Sequence, residues 1–247
     1  LVSISRVVLD EADEMLSMGF KEDLDFILSN ATAGVQKLLF SATMPKKVTS
    51  IIKDYMHNPF TIAVDPINTA AINVLHRYHV VQAKDRYETV KRIADINPDI
   101  YGIVFCRTRA ETKDVANKLM QDNYNADTIH GDLSQAQRDD VMLRFRKKQI
   151  QLLIATDVAA RGLDIPLIQH VINYDLPQVP EDYIHRIGRT GRAGKEGYAL
   201  TFLTPSDKSM WNSISRLIDP NFKPSHDGQK RKFKRKKRTN ANFNKER

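Results

Sequence analysis

The stretch "RVVLDEAD" (residues 6–13) ends an apolar run in three carboxylates, Asp10, Glu11 and Asp13. An acidic residue at the mouth of an apolar strand can hold Mg²⁺ beside the β- and γ-phosphates of a nucleotide. A hard divalent cation that keeps much of its water shell needs one or two carboxylates rather than a full protein cage. Asp10 suits that ligand position, and Glu11, one residue on, suits orienting or deprotonating an attacking water. Acidic residues also serve as ordinary helix caps, so the cluster has to be weighed with what accompanies it.

What accompanies it is "YIHRIGRTGRAG" (183–194), which sets His185, Arg186, Arg189 and Arg192 within eight residues. On a helix Arg189 falls one turn from His185. Guanidiniums this close repel one another unless an anion sits between them. Gly188, Gly191 and Gly194 interrupt the arginines; glycine weakens a helix but permits close approach of backbone. A polyphosphate held between two domains accounts for both features.

These groups need elements to position them. Short β-rich runs occur at 6–10, 37–43, 60–64, 77–83, 101–106, 126–130, 150–156, 170–174 and 198–204, with stretches of helical period between many of them. In "RAETKDVANKLMQDN" the apolar Val115, Leu119 and Met120 line one face, and Ser134 with Gln137 opens the next helix in a capping-box pattern. Met15, Met18 and Phe20 after the acidic box are expected to pack, as are Phe105 and Cys106. Apolar strands alternating with helices predict an α/β fold with parallel sheets covered on both faces. The pattern breaks at 65–74. Six strand candidates downstream suffice for one complete domain; the three upstream are too few, so residues 1–68 are read as the trailing part of an incomplete first domain, 69–219 as a complete second one and 220–247 as a tail.

Composition bounds the partners. The 247 residues are 41% hydrophobic and 28% charged, with a net charge of +8. Residues 223–247 hold 11 Lys and Arg against 2 Asp and Glu, a balance of +9, which leaves the preceding residues at −1. A basic, core-less segment of this kind cannot bury apolar surface and suits a salt-sensitive tether to RNA phosphates. No apolar run approaches the ~18 residues that cross a bilayer, so no membrane partner is expected. The lone Cys106 rules out an intrachain disulfide and favours a reducing, cytoplasmic setting. The chain begins at Leu1 and reads as a fragment.

Taken together, "DEAD" (10–13), "SAT" (41–43), "IVFCRTR" (103–109), "IHGDLSQAQRD" (129–139), "ATDVAARGLDI" (155–165) and "HRIGRTGRAG" (185–194) closely resemble the DEAD-box RNA helicases in order and spacing. The resemblance covers residues 1 to about 219. It implies two RecA-like domains, ATP with Mg²⁺ in the cleft between them, and single-stranded RNA across both. By resemblance, Asp10 holds the metal, and Glu11 positions the hydrolytic water. Asp13, Ser41, Thr43 and His185 couple the nucleotide site to the second domain. Arg189 and Arg192 are the arginine fingers, and Gly162 and Asp164 contact the nucleotide. Arg107, Thr108, Gly131, Asp132 and Thr156 touch the RNA backbone, so binding should be independent of sequence. The tail is the segment that could engage RNP or ribosomal partners.

The departure is equally specific. No G-x-x-x-x-G-K-[ST] phosphate loop occurs in the sequence, so this polypeptide by itself is expected to be inactive as an ATPase, although the intact protein should couple hydrolysis to RNA strand separation. The alternative is a non-catalytic RNA- or partner-binding module built from the second domain and the basic tail.

Overall fold

The computed structural model describes residues 4–32, 34–63, 73–161, 168–191, 195–219 and 221–223. The expected boundary at 68/69 and all but three residues of the basic tail therefore lie outside the described residues.

The first unit holds β1 (Arg6–Leu9) and β2 (Gln36–Leu39), paired in parallel with Leu9 opposite Leu39. Around them lie α1 (Ala12–Ser17), α2 (Lys21–Ser29) and α3 (Lys46–Tyr55). Val7, Leu9, Leu16, Leu24, Leu28, Val48 and Ile51 form its core. Met15 packs partly against that core, but Met18 and Phe20 are 44% and 41% exposed, contrary to expectation. The reason is local: α1 ends at Ser17, and Gly19 takes a left-handed φ of 92°, so one helical period does not carry through to Phe20. The strand expected at 60–64 is also not found over 60–63. Phe60 and Ile62 are 88% and 75% exposed with no ladder partner, and Val64 lies outside the described residues.

The second unit is a six-stranded, all-parallel sheet in the order β3-β8-β7-β4-β6-β5. Its strands are β3 (Val74–Val80), β4 (Gly102–Phe105), β5 (Ala126–Ile129), β6 (Leu152–Ala155), β7 (His170–Asn173) and β8 (Gly197–Leu203). The helices are α4 (Arg86–Ile96), α5 (Arg109–Gln121), α6 (Gln135–Arg146), α7 (Asp157–Ala160), α8 (Pro180–Ile187) and α9 (Lys208–Ile218). The period of two along a strand divides the core. Ile103 and Phe105 share a cluster with Val141, Met142 and Phe145 of α6, whereas Val104 and Cys106 share one with Val90 of α4 and Val115 and Leu119 of α5. Burying such side chains contributes about 1.5–3 kcal/mol each, so β4 and β6, buried along their whole length, are a rigid base for the loops they feed. Met120 is 41% exposed instead of packed; one residue on from Leu119 it is turned ~100° about the helix axis. The capping box at Ser134 and Gln137 is present in both directions.

Candidate functional site

The acidic box splits at its second residue. Asp10 and Glu11 are exposed at the carboxyl end of β1, where Asp10 Oδ1 accepts the Glu11 N–H at 2.9 Å. Glu11 itself has φ 50° and ψ 46°, a left-handed conformation that costs a residue with a side chain roughly 1–2 kcal/mol. The following N–H, of Ala12, donates to Phe40 O at 3.0 Å, which pins the start of α1 to the end of β2. As a result Asp13 and Glu14 turn inward and are only 5% and 4% exposed.

Asp13 Oδ2 accepts from the Thr43 N–H at 2.8 Å and the Thr43 hydroxyl at 2.6 Å, while Ser41 Oγ donates to Thr43 O at 2.6 Å. From the second unit, His185 Nε2 lies 3.4 Å from the same Asp13 oxygen and 3.2 Å from Glu14 Oε1. Beside it, Arg161 Nε meets Glu14 Oε2 at 2.5 Å, and Arg161 Nη2 donates to Asp182 Oδ1 at 2.8 Å. All four residues expected to couple the two units, Asp13, Ser41, Thr43 and His185, are thus brought together. Burial alone would raise the Asp13 carboxyl, but His185 and Thr43 outweigh it and hold the group well below the usual carboxylate range. Burial would likewise lower His185, yet Asp13, then Glu14 and Asp182, hold it above its ordinary value. Glu14 and Asp182 are both raised, chiefly by burial, with Arg161 and His185 opposing.

The arginine block is not one cluster. Arg186, 2% exposed, clasps Asp157 through Nε and Nη2 at 2.6 and 2.8 Å and donates from Nη1 to Asn173 Oδ1 and Asp175 O. Its charge is neutralised inside the second unit, so no polyphosphate is needed to explain it. Arg186, Arg189, Arg161 and their carboxylates leave a gap of about 10 Å³ between them, near the lower limit for one water. Arg189 follows the end of α8 at Ile187 and is half-buried; its N–H donates to Arg186 O at 3.1 Å. Gly191 also has a structural reason. It has φ 68°, and a Cβ there would stand 2.6 Å from Val74 Cγ2. Arg192, Gly162 and Asp164 lie outside the described residues.

The residues expected to meet RNA follow three neighbouring strands, β4, β6 and β5, at their carboxyl ends. Arg107 and Thr108 follow β4, Gly131 and Asp132 follow β5, and Thr156 follows β6. Thr108 and Thr156 are helix N-caps whose hydroxyls accept from Glu111 N and Ala159 N. Arg107, Thr108, Gly131 and Asp132 are exposed, but Thr156 is 8% exposed. Behind them, Asp175 accepts from the Arg107 N–H and pairs with Arg86; burial, then Asp175, raises Glu111 to about 7.

Reading the sequence missed Glu14, Arg161 and Asp182. Arg161 stands within the quoted block "ATDVAARGLDI" and Glu14 directly after the acidic box. Nothing in either block signalled that these charges would be buried, because that depends on which surface of the other unit meets them. Among the described residues no group of three or more His, Cys, Asp or Glu is arranged to hold a metal ion, and no helix is long and apolar enough to cross a membrane.

Residues 1–51 match the DEAD/DEAH box helicase family model, and residues 85–194 match the helicase conserved C-terminal domain. A DEAD-box ATP-dependent RNA helicase CshA of Bacillus subtilis is 42% identical over 252 residues, covering 99% of this chain and 51% of the relative. That of Bacillus licheniformis is 47% identical over 216 residues, covering 87% and 44%. The chain thus spans about half the length of the curated relatives it matches. Among solved structures, S. cerevisiae Dbp5 L327V bound to RNA and ADP BeF3 superposes with a TM-score of 0.80 at 31% identity, over 89% of this chain and 58% of that one. A DEAD box protein from Methanococcus jannaschii is 43% identical but reaches a TM-score of 0.58, over 88% and 59%. The folds are the same RecA-like parallel sheets flanked by helices, and with both family models matched in order the chain belongs to the DEAD-box helicase family.

Proposed function

We propose that the chain is part of an ATP-dependent RNA helicase in which ATP hydrolysis drives local separation of RNA strands and remodelling of RNPs. One observation carries this reading: Asp13 of the acidic box and His185 of the arginine block, 172 positions apart in the sequence, meet through a shared hydrogen-bonded carboxylate between the two units. The higher TM-score with an RNA- and nucleotide-analogue-bound structure than with a more identical one supports the view that this is the closed arrangement of the two units.

In this mechanism Glu11, exposed at the strand end and held in its strained conformation, orients the water that attacks the γ-phosphate. Asp10, an exposed single carboxylate beside it, fits a cation held largely through water and would be the protein's ligand to Mg²⁺, which neutralises phosphate charge. Arg189 and Arg192 balance the charge that develops on the transferred phosphoryl group, a role worth roughly 10³–10⁵ in rate where a GTPase supplies such an arginine. Gly162 and Asp164 contact the nucleotide. Arg107, Thr108, Gly131, Asp132 and Thr156 form the edge that meets RNA sugar and phosphate, with the basic tail as a second tether. Closing of the units, read through Asp13 and His185, links the two events.

The polypeptide 1–247 alone, having no phosphate loop in its sequence, should not turn over ATP. The test of the reading uses the full-length protein. Glu11→Gln and Arg189→Ala should each abolish RNA-stimulated ATP turnover while RNA affinity stays within a few-fold of the parent. Unchanged turnover in both variants would overturn it.

A further inference from the structure

The six-stranded sheet ends in a different kind of strand on each side. β5, on the side of the residues proposed to meet RNA, is four residues long. β3, outermost on the other side, runs seven residues and pairs among the described residues with β8 alone. Its register is unbroken, from Val74 opposite Gly197 to Val80 opposite Leu203. An outermost strand of this length presents a row of backbone donors and acceptors to any extended chain, and folded proteins commonly blunt it with proline, lysine or a bulge. β3 contains none of these.

The ladder fixes which groups are presented. Asn73 O accepts the Gly197 N–H at 2.9 Å, and the Val81 N–H donates to Leu203 O at 2.8 Å. Backbone groups alternate between the two sides of a strand, so Leu75, Arg77 and His79 also turn theirs toward β8. His76, Tyr78 and Val80 turn theirs outward. Side chains alternate between the two faces in the same way. Leu75, Arg77 and His79 are exposed on the face that α4 and α5 cover further in, where Phe202, opposite His79, joins their core. On the other face His76 Nδ1 lies 3.1 Å from Tyr183 Oη, and the Tyr78 ring lies 5.4 Å from that of Trp211. Tyr78 and Val80 are still 55% and 66% exposed there. A strand laid beside β3 would therefore meet Arg77 on one face and Tyr78 with Val80 on the other. β3 and β8 hold no Asp or Glu between them, and Arg77 is their one permanently charged side chain.

We propose that the outer side of β3 is a docking site for a protein partner that adds an extended segment to the sheet. The segment carries acidic side chains on the Arg77 face and apolar ones on the Tyr78 face. Main-chain hydrogen bonds to His76, Tyr78 and Val80 supply affinity, and the alternation of side chains supplies selectivity. The site lies across the sheet from β5 and uses none of the residues assigned to nucleotide or RNA, so it stands or falls apart from that reading.

The test is fluorescence anisotropy of the 247-residue chain with a dye-labelled peptide of alternating glutamate and valine. That peptide should bind, and an alternating lysine and valine peptide of the same length should bind several-fold more weakly. Val80→Pro removes one outward donor and spares the ladder to β8, since proline is accepted where the N–H of an outermost strand faces solvent. It should weaken the glutamate peptide several-fold. Arg77→Glu, which alters only an exposed side chain, should weaken the glutamate peptide and strengthen the lysine one. In hydrogen exchange the amides of Tyr78 and Val80 should slow on binding, while those of Leu75, Arg77 and His79, already in the ladder, change little. No binding of the glutamate peptide, equal affinity for the two peptides, or affinities unmoved by both substitutions would overturn the proposal. So would a complex that leaves the Tyr78 and Val80 amides unprotected. If sedimentation shows the chain pairing with itself, and Val80→Pro abolishes that pairing, the occupant is a second copy and the partner is rejected.

Discussion

The junction between the two units and the open edge of the second unit are built from the same chemical parts and use them in opposite ways. At the junction Glu14 and Arg161 meet at 2.5 Å with side chains 5% and 16% exposed; at the edge Lys113 and Asp132 meet at 2.9 Å with 46% and 42% exposed. Water screens the second pair and largely not the first. A buried pair is dear to break and specific about its partner, which suits a contact that holds two units in one arrangement. An exposed pair is weak, and water readily takes the place of either partner. The lesson is that the distance between charges does not identify their task, whereas their access to water does.

The largest effect should come from removing the most deeply buried charge. Arg186→Ala leaves Asp157 without its two-pronged partner and strips donors from Asn173 Oδ1 and Asp175 O. Breaking a buried pair in this way costs about 3–5 kcal/mol, read as a lower urea midpoint. Arg186→Lys should not restore it, because a point-like ammonium cannot reproduce the planar fork. A midpoint unmoved by Arg186→Ala would mean the arginine is held for a ligand after all, as the spacing of the block suggested.

Next in size is the junction. Arg161→Glu would face Glu14 and Asp182 with a third carboxylate and should undock α1 from α8. The double variant Glu14→Arg with Arg161→Glu should recover part of the loss, with a coupling of roughly 0.5–3 kcal/mol as found for residues in direct contact. Energy transfer between dyes on α2 and α9 would follow docking, and equal transfer in the single and double variants would sink the pairing.

The junction should also respond to pH, and the edge much less. His185 is held above its ordinary value, so its stabilising contribution is complete below that ordinary value and is lost as pH rises through the raised one. Glu14 and Asp182, raised mainly by burial, bind protons more readily when docked and act in the same direction. Asp13 acts the other way: its contribution is complete above the usual carboxylate range and lost as pH falls through its depressed value. Docking should therefore be tightest in weakly acidic solution and loosen toward alkaline pH. Hydrogen exchange of α1 and α8 amides measures it, and His185→Gln should flatten the alkaline limb. An alkaline limb that survives the substitution would assign it to another group.

Much of this was legible in the sequence, and the exceptions have physical causes. The strands of the second unit were visible because β4 and β6 are buried on both faces and so read as unbroken apolar runs. The run at 60–63 reads the same way but has no strand beside it, and nothing in a linear pattern supplies a ladder partner. That Asp13, Ser41, Thr43 and His185 would lie near one another was legible because the resemblance lies in ordered blocks. Glu14 and Arg161 were not, because burial of a charge depends on which surface of a distant element meets it. Arg186 misled for the mirror-image reason: its partner Asp157 lies 29 residues away, and spacing within its own block suggested repulsion where the fold gives neutralisation.

The smallest effect is the one that tests the comparison most directly. Arg109→Ala and Lys113→Ala should leave the urea midpoint of the chain unchanged within error, because water replaces each lost partner of Asp132 and no buried group is left unsatisfied. An edge with almost no part in stability is what pairs so open to water require. If either midpoint fell as far as that of Arg186→Ala, the edge would be a structural part of the fold, and access to water would not be what separates the two regions.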